Sequence, residues 1–267
     1  MNHSKALVNL NFDDGRIDTY TIAYPLLKKY NIPATINVTT GYVEGIFAHK
    51  EHEIPVPAMT IEMLTTLASD PSIEIAGHGY WHDNTEEDIL TGIQHLKTYI
   101  PIQQDWGFAS PGTGLTLRAY RKMKNRLKAE GISYVRLSSR YLTNVRLKIF
   151  CRKAARLFHS PSLYSYAYKD TLQSSTYEDI LYSIPILSSI TIGEIRAIIK
   201  QAIKVNKTCI LMFHSIVENG LVRNTWDYKK SKFEAICQML NKYQEKGLLK
   251  VTTAKQIHAA LSHAQAI

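Results

Sequence analysis

The chain reads as short apolar runs separated by amphipathic stretches. Residues 6–12 (ALVNLNF) have the length and character of a buried strand, and 18–30 then place Ile22, Pro25, Leu26 and Leu27 at helical spacing. The alternation continues, with strands expected at 33–38, 72–76, 106–109, 132–137, 180–186 and 208–213, and a short one at 248–251. Helices are expected over 60–68, 85–99, 115–130, 191–205 and 231–246 and again at the C-terminus, while 39–59 reads as loop. Local chemistry agrees. Acidic residues open 85–99, where the helix dipole favours them, Thr191 and Glu194 have capping-box spacing, and Gly131 stops the basic helix before it. Strands alternating with helices imply an α/β fold with a mostly parallel sheet, open or closed into a barrel, and roughly seven such units point towards a barrel. No linker or repeat divides it, so one domain is expected over 1–267, with a basic helical insertion around 140–160.

Polar clusters stand just past four of the expected strands. Asp13, Asp14 and Gly15 follow Phe12, GHGYWHDN follows 72–76, SPGTG follows 106–109, and His214 follows 208–213. The C-terminal ends of barrel strands are where active sites are built. Adjacent carboxylates at such a point repel each other and lose hydration, so a cation or a shared proton has to compensate. His78 and His82 are spaced i, i+4, which on one helical turn brings two imidazoles to the same side. With one carboxylate they make the three-ligand set of a catalytic zinc-type site. The two aspartates then have different jobs, one binding metal and one taking a proton from water; the residues alone leave open which does which. His214 is placed to protonate a leaving amine. Trp81 and Trp226 offer aromatic faces for stacking, Trp106 reads as core, and His49 and His52 read as solvated loop.

Charge adds a second theme. The chain carries +9, yet 118–156 holds thirteen basic side chains against the single acid Glu130, a net +12 that leaves the remainder at −3. Such a block suggests an anionic partner: a membrane surface, a sugar phosphate or a nucleic acid. No nucleic-acid-binding motif accompanies it. Within 141–159, Leu147, Phe150, Cys151, Ala154, Leu157 and Phe158 recur at helical spacing, with Arg146, Lys148, Arg152, Lys153 and Arg156 mostly opposite. That pattern fits a helix packing its stripe on the barrel, or one lying on an anionic membrane. The three cysteines, Cys151, Cys209 and Cys237, are odd in number and widely spaced, which argues against a disulfide framework. No segment reaches the roughly 18 apolar residues of a membrane span, and MNHSKALVNL lacks a signal-peptide pattern, so a cytoplasmic protein is expected, working at the inner membrane face if the basic segment binds lipid.

At this point three motifs resemble a known family. NFDDG resembles the first motif of the polysaccharide deacetylases (NodB-like domains, carbohydrate esterase family four), usually T-F-D-D-G; HGYWH resembles H-[ST]-x-x-H; LMFH resembles L-x-x-H. Order and spacing agree from Leu7 to His214. The resemblance implies a distorted (β/α)7-type barrel with mostly parallel strands and metal-dependent hydrolysis of an N-acyl group from an amino sugar, with Asp13 as general base, Asp14, His78 and His82 as ligands of a divalent metal, zinc first, His214 as general acid, and Trp81 and Trp226 as faces for stacking on sugar rings. There are departures. The family's third motif, R-x-P-[YF], steadies the base through its arginine, but here reads Ala109-Ser110-Pro111-Gly112. Gly112 retains an N–H for the oxyanion. Gly79 stands where Ser or Thr is usual, and only Asp170 offers itself for the fourth motif.

The expected activity is removal of an N-acetyl group from an amino sugar, nucleotide- or lipid-phosphate-linked, during synthesis of a cell-surface polysaccharide of O-antigen or capsule type. Two alternatives stand beside it: a deformylase of a lipid-linked amino sugar, and a catalytically weakened barrel that binds sugar or phosphate.

Overall fold

The computed structural model describes residues 5–51, 54–138, 145–158, 160–168, 171–174 and 179–263. Seven strands close a parallel barrel: β1 (Ala6–Phe12), β2 (Ala34–Val38), β3 (Ile73–Gly77), β4 (Trp106–Ala109), β5 (Ile132–Ser138), β6 (Ile180–Pro185) and β7 (Cys209–Phe213), with β7 returning to β1. Short strands β8 (Ser215–Val217) and β9 (Asp227–Lys229) pair with each other beyond β7. The last strand, β10 (Leu249–Val251), pairs with Ala6–Val8 of β1, below the point where β2 takes over that edge at Leu10. The expected strand at 248–251 is therefore an addition to the barrel rather than a member of its ring. The loop expected at 39–59 contains a single helical turn, Thr40–Val43, and a hairpin of His49–Glu51 with Ile54–Val56.

Among the described residues, nine helices clothe the barrel: α1 (Tyr24–Lys29), α2 (Ile61–Ala68), α3 (Glu86–Tyr99), α4 (Leu117–Ala129), α5 (Val145–Phe158), α6 (Pro161–Tyr168), α7 (Ile192–Val205), α8 (Lys230–Glu245) and α9 (Ala254–His263). Thr60, Thr85, Thr116 and Thr191 each cap one of them, accepting a hydrogen bond from the third backbone N–H beyond and so satisfying a donor the helix cannot. The Thr191 cap anticipated from the sequence is among them.

Alternation along β1 separates two environments. Val8, Leu10 and Phe12 join the large core shared with the helices. Asn9, Asn11 and Asp13 instead enter a chain of hydrogen bonds inside the barrel. Asn37 donates to Asp13 Oδ1 (2.7 Å) and also to Asn11, Asn11 donates to Asn9 (3.1 Å), Asn9 to Thr35 (3.1 Å), and Thr35 to Glu74 (2.9 Å). Tyr134 and the backbone N–H of Lys255, in the first turn of α9, complete the shell of Glu74. Tyr134 reaches Glu74 by crossing β4, where Gly107 leaves room; a Cβ at Gly107 would strike the tyrosine ring. With Leu181, Ile210, Ile257 and Leu261, Tyr134 closes the N-terminal end of the barrel. The open end is the one that carries Asp13.

Candidate metal centre

Asp13 and Asp14 leave β1 at the C-terminal mouth of the barrel, both 2% exposed. Asp14 and Gly15 have φ of 76° and 75°, a reversal that puts the two carboxylates on different neighbours and that glycine tolerates best. Asp13 stays in register with the sheet, its N–H donating to Phe213 O (3.0 Å).

The Asp13 carboxylate is held by two donors from distant strands. Arg136 Nη2 on β5 lies 2.7 Å from Oδ2, and Asn37 holds Oδ1. The arginine is 3% exposed and also donates to Ser183 on β6 (3.3 Å). Burial raises the Asp13 carboxyl, but Arg136, helped by His78 and His214, outweighs it, and the group lies below its ordinary range. Register explains the missing third-motif arginine: Arg136 is the β5 residue paired with Ala109 of β4. The guanidinium has moved one strand sideways at the same height. Arg16, two residues beyond Asp14, binds Asp14 Oδ2 (3.1 Å).

Asp14 Oδ1 faces two imidazoles, 3.4 Å from Nε2 of His78 and 3.4 Å from Nε2 of His82. His78 Nδ1 lies 2.8 Å from Ala109 O, so it carries the proton and leaves Nε2 as a lone pair aimed at Asp14. That buried Nε2 has no hydrogen-bond partner. Two acceptors pointing at each other in a closed site require a cation or proton between them, and the ligand atoms of Asp14, His78 and His82 all lie within 4.8 Å of one another. The donor set, one carboxylate and two imidazoles, fits zinc or a similar divalent ion.

The imidazoles do not meet on a helical turn, as their spacing suggested. Positive φ at Gly79 (80°), His82 (69°) and Asn84 (73°) makes the segment a loop. Asp88, buried in the first turn of α3, gathers it by accepting from the backbone N–H groups of Trp81, Asp83 and Asn84. A Cβ on Gly79 would run into the Asp88 carboxylate, which explains why this chain has neither Ser nor Thr there. Asn84 then ties the loop to the next strand end, donating to Pro111 O (2.9 Å) and accepting from Ser110 (2.8 Å).

The other expected residues line the same end. His214 directly follows β7 with its ring against Trp226, centroids 4.1 Å apart and planes tilted by 40°, and its Nδ1 is buried without a partner. Burial pulls His214 below the ordinary imidazole value, although Asp14 and Asp13 pull it upward. Trp81 is 45% exposed, and Trp106 is fully buried in the core. Gly112 is exposed at φ 52° in the turn after Ser110. Asp170 and His52 lie outside the described residues. Arg136, Asn37 and Asp88 were not anticipated. For the first two the signal was present, as polar residues inside otherwise apolar strands; Asp88 was hidden among the acids expected of any helix start.

A parallel barrel with a carboxylate, two imidazoles and an arginine-held second carboxylate at its C-terminal mouth has the architecture of a hydrolase. The family model for polysaccharide deacetylase matches residues 1–106, the stretch that holds Asp13, Asp14, His78 and His82. Over that stretch the chain is similar to the polysaccharide deacetylase family, the one its motifs resemble. Among solved structures, a family 4 carbohydrate esterase from Bacillus anthracis is 15% identical, covering 97% of this chain and 85% of its own, with a TM-score of 0.49. BA3943, a CE4 family pseudoenzyme from Bacillus anthracis, is 14% identical over 97% of this chain and 67% of its own, at 0.47. The Streptococcus pyogenes deacetylase PplD, solved in complex with acetate, is 24% identical over 45% of this chain, with a TM-score of 0.37; this chain spans only 52% of PplD. No curated protein matches.

Two predictions follow from the geometry. The purified chain should hold one divalent ion, measured by elemental analysis, and His78→Ala combined with His82→Ala should reduce it to background in a protein that still folds. The second concerns Asp18, whose carboxyl burial raises to about 6 despite Arg16 and a hydrogen bond from Ser215. A carboxyl raised on folding costs stability as pH climbs from its unfolded value through about 6. Asp18→Asn should therefore stabilise the protein by on the order of 2 kcal/mol at pH above that value and by almost nothing near pH ~4, read by denaturant titration at both.

Proposed function

We propose that this chain is a zinc-dependent N-deacetylase acting on an amino sugar destined for a cell-surface polysaccharide. The convergence of Asp14, His78 and His82 beside the arginine-held Asp13 carries this reading. A zinc ion held by those three side chains would polarise the amide carbonyl and acidify the attacking water.

The remaining steps belong to the chain's own groups. Asp13, ionised by its pairing with Arg136, accepts the water proton, and Asn37 and Arg136 together keep its carboxylate from turning away. Gly112 N–H is the proposed donor to the oxyanion. His214 delivers a proton to the leaving amine, and its lowered pKa makes the protonated ring a ready acid. Contact with the Trp226 ring restrains the His214 imidazole. Trp81, exposed beside the ligand loop, offers a face for the sugar. Formate release from a formamido sugar is the nearest rival, because the residues named here grip the amide and not its acyl chain.

Acetate release from N-acetylated nucleotide-linked and lipid-linked amino sugars tests the proposal. Asp13→Asn and His214→Ala should each lower kcat by about 10²-fold or more; activity that survives Asp13→Asn would contradict the assignment. Arg136→Ala should lower kcat by about 10²-fold with little change in KM and move the acid limb of the kcat profile to higher pH, because Asp13 loses its cation. Adding Ala109→Arg to that variant returns a guanidinium to the paired strand and should restore part of the loss.

A further inference from the structure

The basic segment divides into two parts when its contacts are followed. On α4, three of the six basic residues face acids: Arg126 pairs with Glu86 (2.9 Å), and Lys124 and Lys128 reach Asp179 (3.6 and 2.6 Å). Arg136 is buried inside the barrel. The densest run of positive charge is α5, whose sequence has five basic residues, Arg146, Lys148, Arg152, Lys153 and Arg156, and no acid; of these Arg152 lies over the Tyr168 ring, 5.7 Å from its centroid.

The apolar stripe of α5 is wider than the surface that covers it. Cys151 and Ala155 are buried, where the helix packs beside α6. Adjacent on the helix, Leu147, Phe150, Ala154 and Leu157 recur at i, i+3, i+7 and i+10, a single face. On it Leu147 is 46% exposed, Phe150 68% and Leu157 74%, and Phe158 beside it is 71% exposed. Packing on the barrel therefore accounts for one edge of the stripe only. Large aromatic and aliphatic side chains gathered on one exposed helix face mark a docking surface.

We propose that α5 docks on an anionic lipid surface, with Phe150, Leu157 and Phe158 entering the headgroup boundary and the basic residues of the helix meeting lipid phosphates. Charge selects this occupant. A second copy of the chain seated on the same face would bring five cations against five, whereas anionic lipid compensates them and accepts the apolar side chains in the same step. The helix begins seven residues after Ser138, the end of the strand that carries Arg136. Docking through α5 thus tethers the chain to lipid close in sequence to the catalytic mouth. The inference is independent of the chemistry at that mouth.

Flotation of the full-length protein with vesicles measures it directly. Vesicles of phosphatidylglycerol and phosphatidylcholine in equal parts should bind the protein at low salt, high salt should weaken binding at least about tenfold, and pure phosphatidylcholine should bind poorly. Phe150→Asp with Leu157→Asp, both at exposed positions, should abolish flotation and leave thermal stability and metal content unchanged. Wild-type protein that ignores anionic vesicles, a double variant that floats like wild type, or saturable binding to RNA without vesicle binding would each overturn the proposal.

Discussion

Two adjacent carboxylates buried at the mouth of a barrel set the terms for everything around them. Asp13 and Asp14 are both held ionised, and neither is in water. Like charges so placed are stable only if each has its own compensation, and the chain supplies it separately. Asp13 takes Arg136 from across the barrel, while Asp14 takes Arg16 on one oxygen and faces two imidazoles with the other. The left-handed turn at Asp14 and Gly15 is what allows the separation. The proposed division of labour between Asp13 as base and Asp14 as metal ligand rests on that turn.

Support for Asp13 runs the depth of the barrel. The hydrogen bonds from Asn37 through Asn11, Asn9 and Thr35 to Glu74 point along one column, and α9 seals its far end with a backbone N–H on Glu74. Burying so many polar groups is tolerable because each finds a partner, and a fully connected network of this kind fixes side chains more firmly than an apolar core would. The interior of this barrel is therefore part of the site's scaffold.

Much of this was legible in the amino-acid sequence. Seven apolar runs, four of them ending in polar clusters, announced a parallel barrel and the end that carries the candidate site, and DDG, HGYWH and LMFH supplied residues that the fold brings to that end. What escaped the sequence depended on contacts between strands far apart in the chain. The loss of an arginine before Ser110 is visible in one dimension, but its return on β5 requires knowing that Ala109 and Arg136 are paired. The histidine spacing suggested a helix because i, i+4 is a helical signature, whereas positive φ at three residues and the grip of Asp88 make it a loop. The pattern of α5 was visible too, but only the fold distinguishes an apolar stripe that is covered from one that is not.

The account stands or falls on Asp13 and Asp14 having separate cations. A crystal structure of the zinc-loaded protein, with anomalous scattering recorded at the zinc edge, examines this at the atoms concerned. One anomalous peak is predicted between Asp14, His78 and His82, with Asp13 still paired to Arg136 and outside the coordination shell. A peak on Asp13, or an Arg136 turned away from it, would contradict the account.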